Sequence, residues 1–247
     1  MRLRSFSMTP NLRASWDFRK RRAAAAALIA ACFLLMAGCS WFQPKLDKTA
    51  LELVSDGMDA YNAGKYKAAI EHFEKLRDWY PFSKYAILAE LKIADCHYHL
   101  EQYEEAIFAY QEFENLHPRN EAVPYVVYQI GRSYFDRIDT VDRDQNSARE
   151  ALKTFRRLIS QYPEDPYAKI AQGHIHQCLK SLAGHEFYVG YFYYKNRHYP
   201  AAVGRFKTVI EEYPDVGVHY KALQYLARCK REMLQQEAQE EALGQEE

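Results

Sequence analysis

Apolar positions along this chain recur at helical spacing, and one spacing organises most of its length. An Ala is followed four residues later by an aromatic, and eight residues after that by a Pro. The pattern occurs four times: Ala69/Phe73/Pro81, Ala106/Tyr110/Pro118, Ala151/Phe155/Pro163 and Ala202/Phe206/Pro214. The first interval is one helical turn, so Ala and ring share a face; the Pro then closes the helix because it has no backbone donor. Upstream of each Ala lies a second helical stretch with a small residue and an aromatic four apart. These pairs are Gly57/Tyr61, Ala94/Tyr98, Gly131/Phe135 and Gly190/Tyr194. Such a sequence describes two closely packed antiparallel helices that hand the chain on to the next two.

This recurrence resembles the tetratricopeptide repeat. It predicts an all-α, superhelical array of about ten antiparallel helices in five pairs. The first pair is expected over about Thr49 to Tyr80 and the second over about Ser83 to Leu116, with the third starting near Glu121. In the third pair the interval from Phe135 to Ala151 is longer by eight residues, which fall in a polar loop, Arg137 to Asn146. Ser147-Ala-Arg-Glu150 then reads as a capping box. Asp142, Asp144 and Asn146 alternate as in a calcium loop, but Ser147 and Lys153 stand where the turn Gly and the bidentate Glu are needed, so calcium is rejected. Separate helices are expected over 166–183 and Glu186 to Asn196, then over 199–213 and Val218 to Gln236. A Glu/Gln-rich tail, 237–247, has little apolar surface with which to pack.

The N-terminus reads as a processing segment. Arg19-Lys-Arg-Arg22 precedes an apolar run from Ala23 to Ala37, too short for a comfortable membrane span. Leu35-Met-Ala-Gly-Cys39 resembles a bacterial lipoprotein box, which implies a signal peptide over 1–38 and lipidation of Cys39; Ser40 after it implies the outer membrane. Residues 39–48 would be a tether, reaching roughly 30 Å when extended.

Composition adds an asymmetry that the formal net charge of zero conceals. Residues 40–118 hold 8 basic and 14 acidic side chains, 119–231 hold 18 and 12, and 232–247 hold 6 acids and no base. The pattern suggests two surfaces for different partners, 49–118 and 119–236, or a solvated surface with chance imbalance.

Catalytic chemistry is not visible. Cys96, Cys178 and Cys229 each lie fifteen residues beyond a repeat Pro, so they occupy equivalent positions at least a helix spacing apart and read as buried packing residues. His97/His99 and His174/His176 are spaced two apart, which splits each pair round a helix, and no ligand joins them at metal-site spacing. No phosphate loop or nucleophile elbow appears. The expectation is a non-enzyme with no metal, no cofactor and no nucleic-acid partner.

Binding carries more signal. By the repeat resemblance, first helices line a groove that includes Tyr61, Tyr98, Phe135 and Tyr194, with Asn62, His99, Asp136 and Lys195 beside them. Stacked rings with polar tips suit an extended peptide, or they fill the core between pairs. Met58, Asp95 and Arg132 stand where a carboxylate clamp would need Lys and Asn. Phe187-Tyr-Val-Gly-Tyr-Phe-Tyr-Tyr194 places aromatics most of the way round one helix, with Tyr193 pointing away from the main face. Lys195, Arg197, His198, Arg205 and Lys207 add positive charge nearby, which would favour an acidic partner.

Together, the lipoprotein box, Trp79-Tyr-Pro-Phe-Ser-Lys-Tyr85, Asp142-Arg-Asp-Gln145 and the run from Tyr193-Tyr194 to Tyr213-Pro214 resemble the BamD (ComL) family. These are lipoproteins of the outer-membrane β-barrel assembly machine. The resemblance implies a periplasmic scaffold on the outer membrane that meets unfolded outer-membrane proteins, the periplasmic domains of BamA and other assembly-complex lipoproteins. Carried over, Tyr61, Asn62, Tyr98 and His99 are groove candidates. Tyr193, Lys195, Arg197 and above all Arg205 are docking candidates. Another repeat lipoprotein, such as a secretin pilot or an envelope-coordinating factor, is the alternative; an envelope enzyme is the third.

Overall fold

The computed structural model describes residues 48–244, so the expected signal segment, Cys39 and most of the expected tether lie outside the described residues. Within them the chain forms nine helices and no strand. They are α1 (Ala50–Asn62), α2 (Tyr66–Trp79), α3 (Ala86–His99), α4 (Tyr103–Leu116), α5 (Val123–Phe135), α6 (Asn146–Gln161), α7 (Pro166–Lys195), α8 (Tyr199–Glu211) and α9 (His219–Gly244). Each helix packs on its predecessor and its successor, and α7 also meets α5 and α9.

Local chemistry sets the ends. Thr49 caps α1 with a reciprocal capping box: its hydroxyl accepts from the Glu52 backbone, and the Glu52 carboxylate accepts from the Thr49 N–H. Asp165 caps α7 by accepting from the Tyr167 N–H at 2.8 Å, with Pro166 in the first turn. The turns inside three pairs share one form. Gly64, Glu101 and Arg197 hold positive φ (71°, 59° and 61°), and the following N–H bonds back to Ala60, His97 and Tyr193 respectively. This left-handed cap satisfies carbonyls at a helix end, and only Gly64 adopts it without strain.

Inside each pair the close packing is ring against small residue. A Cβ placed on Gly57, Gly131 or Gly190 would lie 2.6, 2.5 or 2.8 Å from the ring of Phe73, Phe155 or Phe206. In the second pair, Ala94 and Tyr110 are the equivalents, both fully buried. The core is accordingly divided into successive clusters along the array: one around Phe73 and Cys96, one around Tyr110 and Ile130, one around Phe155 and Cys178, and one around Phe206 and Cys229.

Three local expectations change. The segments 166–183 and Glu186 to Asn196 are one continuous helix of 30 residues. Leu182 and Ala183 at the expected junction are buried, so packing carries the helix through the single Gly184. Ser147 caps nothing: α6 starts at Asn146, without a side-chain cap on Gln145, and the Asp144 carboxylate accepts from the Asn146 N–H instead. The last helix runs on to Gly244, though its side chains from Leu234 through Ala242 are exposed.

The inserted loop is clamped to the middle of α7. Gln145, 2% exposed, donates from Nε2 to the carbonyls of Thr140 and Arg143 and accepts from Ser181 Oγ at 2.8 Å. His185 Nδ1 bonds the Val141 carbonyl at 2.6 Å, and the Val141 side chain approaches Gly184 where a Cβ would meet it at 3.0 Å.

Gly131→Val should therefore destabilise the protein by about 1–3 kcal/mol through overpacking against Phe155. Gly173→Ala, on α7 with nothing within 4 Å of its added Cβ, should stabilise it by up to about 1 kcal/mol. Urea denaturation of the two variants should move the midpoint in opposite directions.

Candidate functional site

The face made by the first helices of successive pairs is knitted together by tyrosine hydroxyls. Tyr61, the next-to-last residue of α1, bonds His99 Nε2 at the end of α3 at 3.1 Å; Tyr98 donates to Asp136 Oδ2, just past α5, at 2.6 Å. Both links span 38 residues, so the repeat makes the same tie twice. The Tyr66 ring stacks on His99, with centroids 4.7 Å apart, and the Lys92 ammonium lies 4.4 Å from the Tyr61 ring centre. Both tyrosines are half-buried, whereas Asn62 and His99 are exposed. Burial, with the nearby carboxylates Asp95 and Asp136, pushes both phenols well above their ordinary range, so they remain hydrogen-bond donors at neutral pH.

Arg132 extends the network. Its guanidinium donates to Tyr98 Oη at 3.0 Å and Tyr128 Oη at 3.3 Å, and it pairs with Asp136 at 3.2 Å. Tyr128 Oη in turn lies 3.2 Å from His174 Nε2 on α7. One strand of polar contacts thus runs from α3 through α5 to α7.

Beneath it lies a buried carboxylate. Asp95, 1% exposed, accepts from Tyr110 Oη at 2.7 Å and Tyr125 Oη at 2.8 Å through Oδ1, and pairs with Lys92 at 2.7 Å through Oδ2. A carboxylate buried this deeply persists because each oxygen has donors. Gln129 donates to the Tyr125 hydroxyl, closing the cluster. Sequence reasoning placed Asp95 and Arg132 on the groove positions but missed their role. A lone acid within Ile93-Ala-Asp-Cys96 was the available signal.

Among the column residues, Phe135 is the exception. It has no hydroxyl to tie onward, and its ring instead lies 4.6 Å from the His174 ring. Tyr194 packs in the α7–α9 cluster beside Tyr225 and Tyr199. The array therefore brings Tyr61, Asn62, Tyr98 and His99 together near the ends of α1 and α3, and leaves Tyr194 in a different cluster.

The second candidate set divides. Lys195 ends α7 and Arg197 occupies the left-handed turn position after it, both exposed. Arg205 stands further along α8, where it pairs with Glu186 of α7 at 2.8 Å and its Cβ lies against Gly190. The Tyr193 side chain is half-buried in the same cluster as Tyr194, with its ring edge toward His198 rather than free of the packing. Tyr188, Tyr191 and Phe192 on this helix are exposed, so neighbouring helices do not cover the whole aromatic run.

The three cysteines are buried and free, in three different clusters. Burial pushes the Cys96 and Cys178 thiols up to about 12, which leaves them protonated and unreactive at neutral pH. Among the described residues, no group of three or more His, Cys, Asp or Glu is arranged to hold a metal ion.

Comparison with known proteins adds an independent line. The family described as "Outer membrane lipoprotein" (YfiO) matches residues 46–244. Outer membrane protein assembly factor BamD of Caulobacter vibrioides is 34% identical over 194 residues, which is 76% of this chain and 63% of that protein's length. BamD of Rickettsia prowazekii is 33% identical, over 73% of this chain and 72% of its own. BamD of Pasteurella multocida is 26% identical, over 83% of each. The chain belongs to this BamD family of outer-membrane lipoproteins.

Two outcomes follow from the network. Asp95→Ala strands three donors in a buried site and should cost about 3–5 kcal/mol in denaturant-measured stability. His174 is held below its ordinary value by burial and then by the Arg132 charge. Below pH about 6.5 the unfolded chain therefore takes up a proton that the folded chain resists, and stability falls as the pH drops. His174→Gln should flatten that part of the profile when stability is measured between pH 7 and 5.5.

Proposed function

We propose that this family membership carries the function: the protein is a non-enzymatic scaffold of outer-membrane β-barrel assembly, anchored to the periplasmic face of the membrane through a lipidated Cys39. The observation that carries the reading is the match over residues 46–244, which takes in all nine described helices and both candidate surfaces.

The N-terminal pairs, 49–118, receive an extended segment of an unfolded outer-membrane protein. Supporting this, Tyr61, Tyr98 and His99 form one cluster in which both phenols are held by the next pair and the imidazole by Tyr61 and Tyr66, and Asn62 stands exposed beside it. Residues fixed in this way lose little side-chain freedom on binding, which favours capture of a flexible peptide. The carboxylates and cations behind them are mutually paired, so recognition would rest on rings, amide and imidazole rather than on a strong net charge.

The C-terminal pairs, 119–236, dock the periplasmic domains of BamA. Supporting this, Arg205 is held in place by Glu186 yet remains 45% exposed at its side chain, with Lys195 and Arg197 exposed on the preceding turn. A guanidinium already oriented by one carboxylate can offer its remaining donors to a second, acidic surface. Residues 237–247 have no assigned partner in this scheme.

Arg205→Glu should reduce co-purification of BamA from detergent-solubilised membranes while the helix content is unchanged. The charge swap Glu186→Arg with Arg205→Glu rebuilds the internal pair but not the docking charge. Recovery of the complex by the swap would assign Arg205 a purely internal role; continued loss supports docking.

A further inference from the structure

An apolar rim lies at one end of the first two pairs. Antiparallel packing puts the start of α1, the end of α2, the start of α3 and the end of α4 at the same end of the array. Of the seven exposed large hydrophobic residues described in these pairs, all but Phe108 are there: Leu51, Trp79, Phe82, Ile87, Leu88 and Leu116. Trp79 is 51% exposed, Leu116 61%, and Phe82 wholly exposed. The opposite end, by contrast, carries Asn62, Gly64, Lys65, Glu101 and Gln102.

Register shows that this is a property of these pairs rather than of the repeat. Trp79 and Leu116 occupy the same position, ten residues after the repeat Ala; the later pairs have Gln161 and Glu212 there. Phe82 directly follows its Pro, where the other pairs have Arg119, Glu164 and Asp215. The later pairs are polar at the sites where the first pair places its two most prominent aromatics.

The chain outside the described helices enters at this same end. Thr49 caps α1 beside the rim, and Ala50 shares a core cluster with Tyr80 and Tyr85, which flank Phe82. Nine residues lie between Cys39 and Thr49, so an anchor at Cys39 would hold the rim within roughly 30 Å of the lipid.

We infer that this rim is a second, non-covalent membrane contact, with Trp79 and Phe82 seated at the interface of a phospholipid leaflet. The inference rests on the lipid-anchor reading of Cys39. Trp is enriched at membrane interfaces, and exposed apolar side chains suit the boundary between headgroups and acyl chains. Lys84, exposed beside Phe82, offers an ammonium to lipid phosphate. Because the tether makes the encounter intramolecular, even a weak contact is populated. Two attachment points, at the tether and at the rim, would fix which end of the array faces the membrane.

The test couples the mature chain, with Trp41→Phe so that Trp79 is its sole tryptophan, through Cys39 to a maleimide lipid in phosphatidylethanolamine/phosphatidylglycerol vesicles. The other three cysteines of the mature chain are buried. The coupling supplies an anchor whether or not cells attach one, so failure here stays distinct from failure of the anchor reading, which is read by the mass of the N-terminal peptide from cells. Trp79 emission should shift to the blue and be quenched when brominated acyl chains replace ordinary ones. Phe82→Ser, at a side chain open to solvent, should reduce that quenching with helix content unchanged. Emission that stays open to aqueous iodide and insensitive to brominated lipid would overturn the proposal. So would undiminished quenching in Phe82→Ser, or a blue shift that appears only when an unfolded outer-membrane protein is added, which would give the rim to a protein partner.

Discussion

Within each pair the helices meet where an aromatic ring on the second lies directly against the backbone of a small residue on the first, and the rest of the array inherits its geometry from that contact. With no side chain at Gly57, Gly131 and Gly190, the rings of Phe73, Phe155 and Phe206 come closer than any Cβ would permit. The Ala one helical turn before each ring is likewise fully buried. Close approach inside the pair leaves the opposite faces free to pack on the neighbouring pairs, so the core becomes a series of clusters rather than one centre. Three cysteines at one repeat position follow from the same geometry: each fills a small buried gap in its own cluster.

Where the repeat alone would leave adjacent first helices joined only by apolar packing, this chain adds hydrogen bonds. Tyr61 and Tyr98 use the same offset to reach His99 and Asp136, Arg132 gathers Tyr98, Tyr128 and Asp136, and Asp95 collects two phenols and an ammonium below. Hydrogen-bond networks of this kind hold side chains in one arrangement, although the buried Arg132 Nε and His174 Nδ1 have no protein partner. The inserted loop of the third pair is held by the same means. Gln145 closes the loop on itself and fastens it to Ser181, and this accounts in physical terms for the last residue of the Asp-Arg-Asp-Gln stretch.

The two ends of the chain then differ in what they expose. The N-terminal pairs show an apolar rim beside the start of the first helix, and a polar-tipped aromatic face near the opposite helix ends. The C-terminal pairs show cations and the uncovered aromatics of α7. The N-terminal and C-terminal pairs, which differ in their balance of acids and bases, thus also differ in the apolar and aromatic side chains they expose.

The helix count of the first two pairs, the ring-and-small-residue seams, the turn positions and the burial of Cys96, Cys178 and Cys229 were legible in the sequence, because each depends on contacts three or four residues apart or on a fixed repeat offset. That Tyr61, Asn62, Tyr98 and His99 lie close together follows from the same repeat offset; a binding role for them is a proposal. Other features were settled only by contacts between distant parts of the chain. The helix through Gly184 is continuous because packing buries Leu182 and Ala183, a tertiary effect that overrides a weak local break. Ser147 loses its expected capping role because Gln145, two residues earlier, is drawn into the core by Ser181. Asp95 looks like any helical acid until Tyr110 and Tyr125, 15 and 30 residues away, deliver their hydroxyls to it. The sequence by itself determined the repeating helix pair and its seam, which are local and periodic; the tertiary structure decided which polar groups are buried together, because their partners lie on other helices.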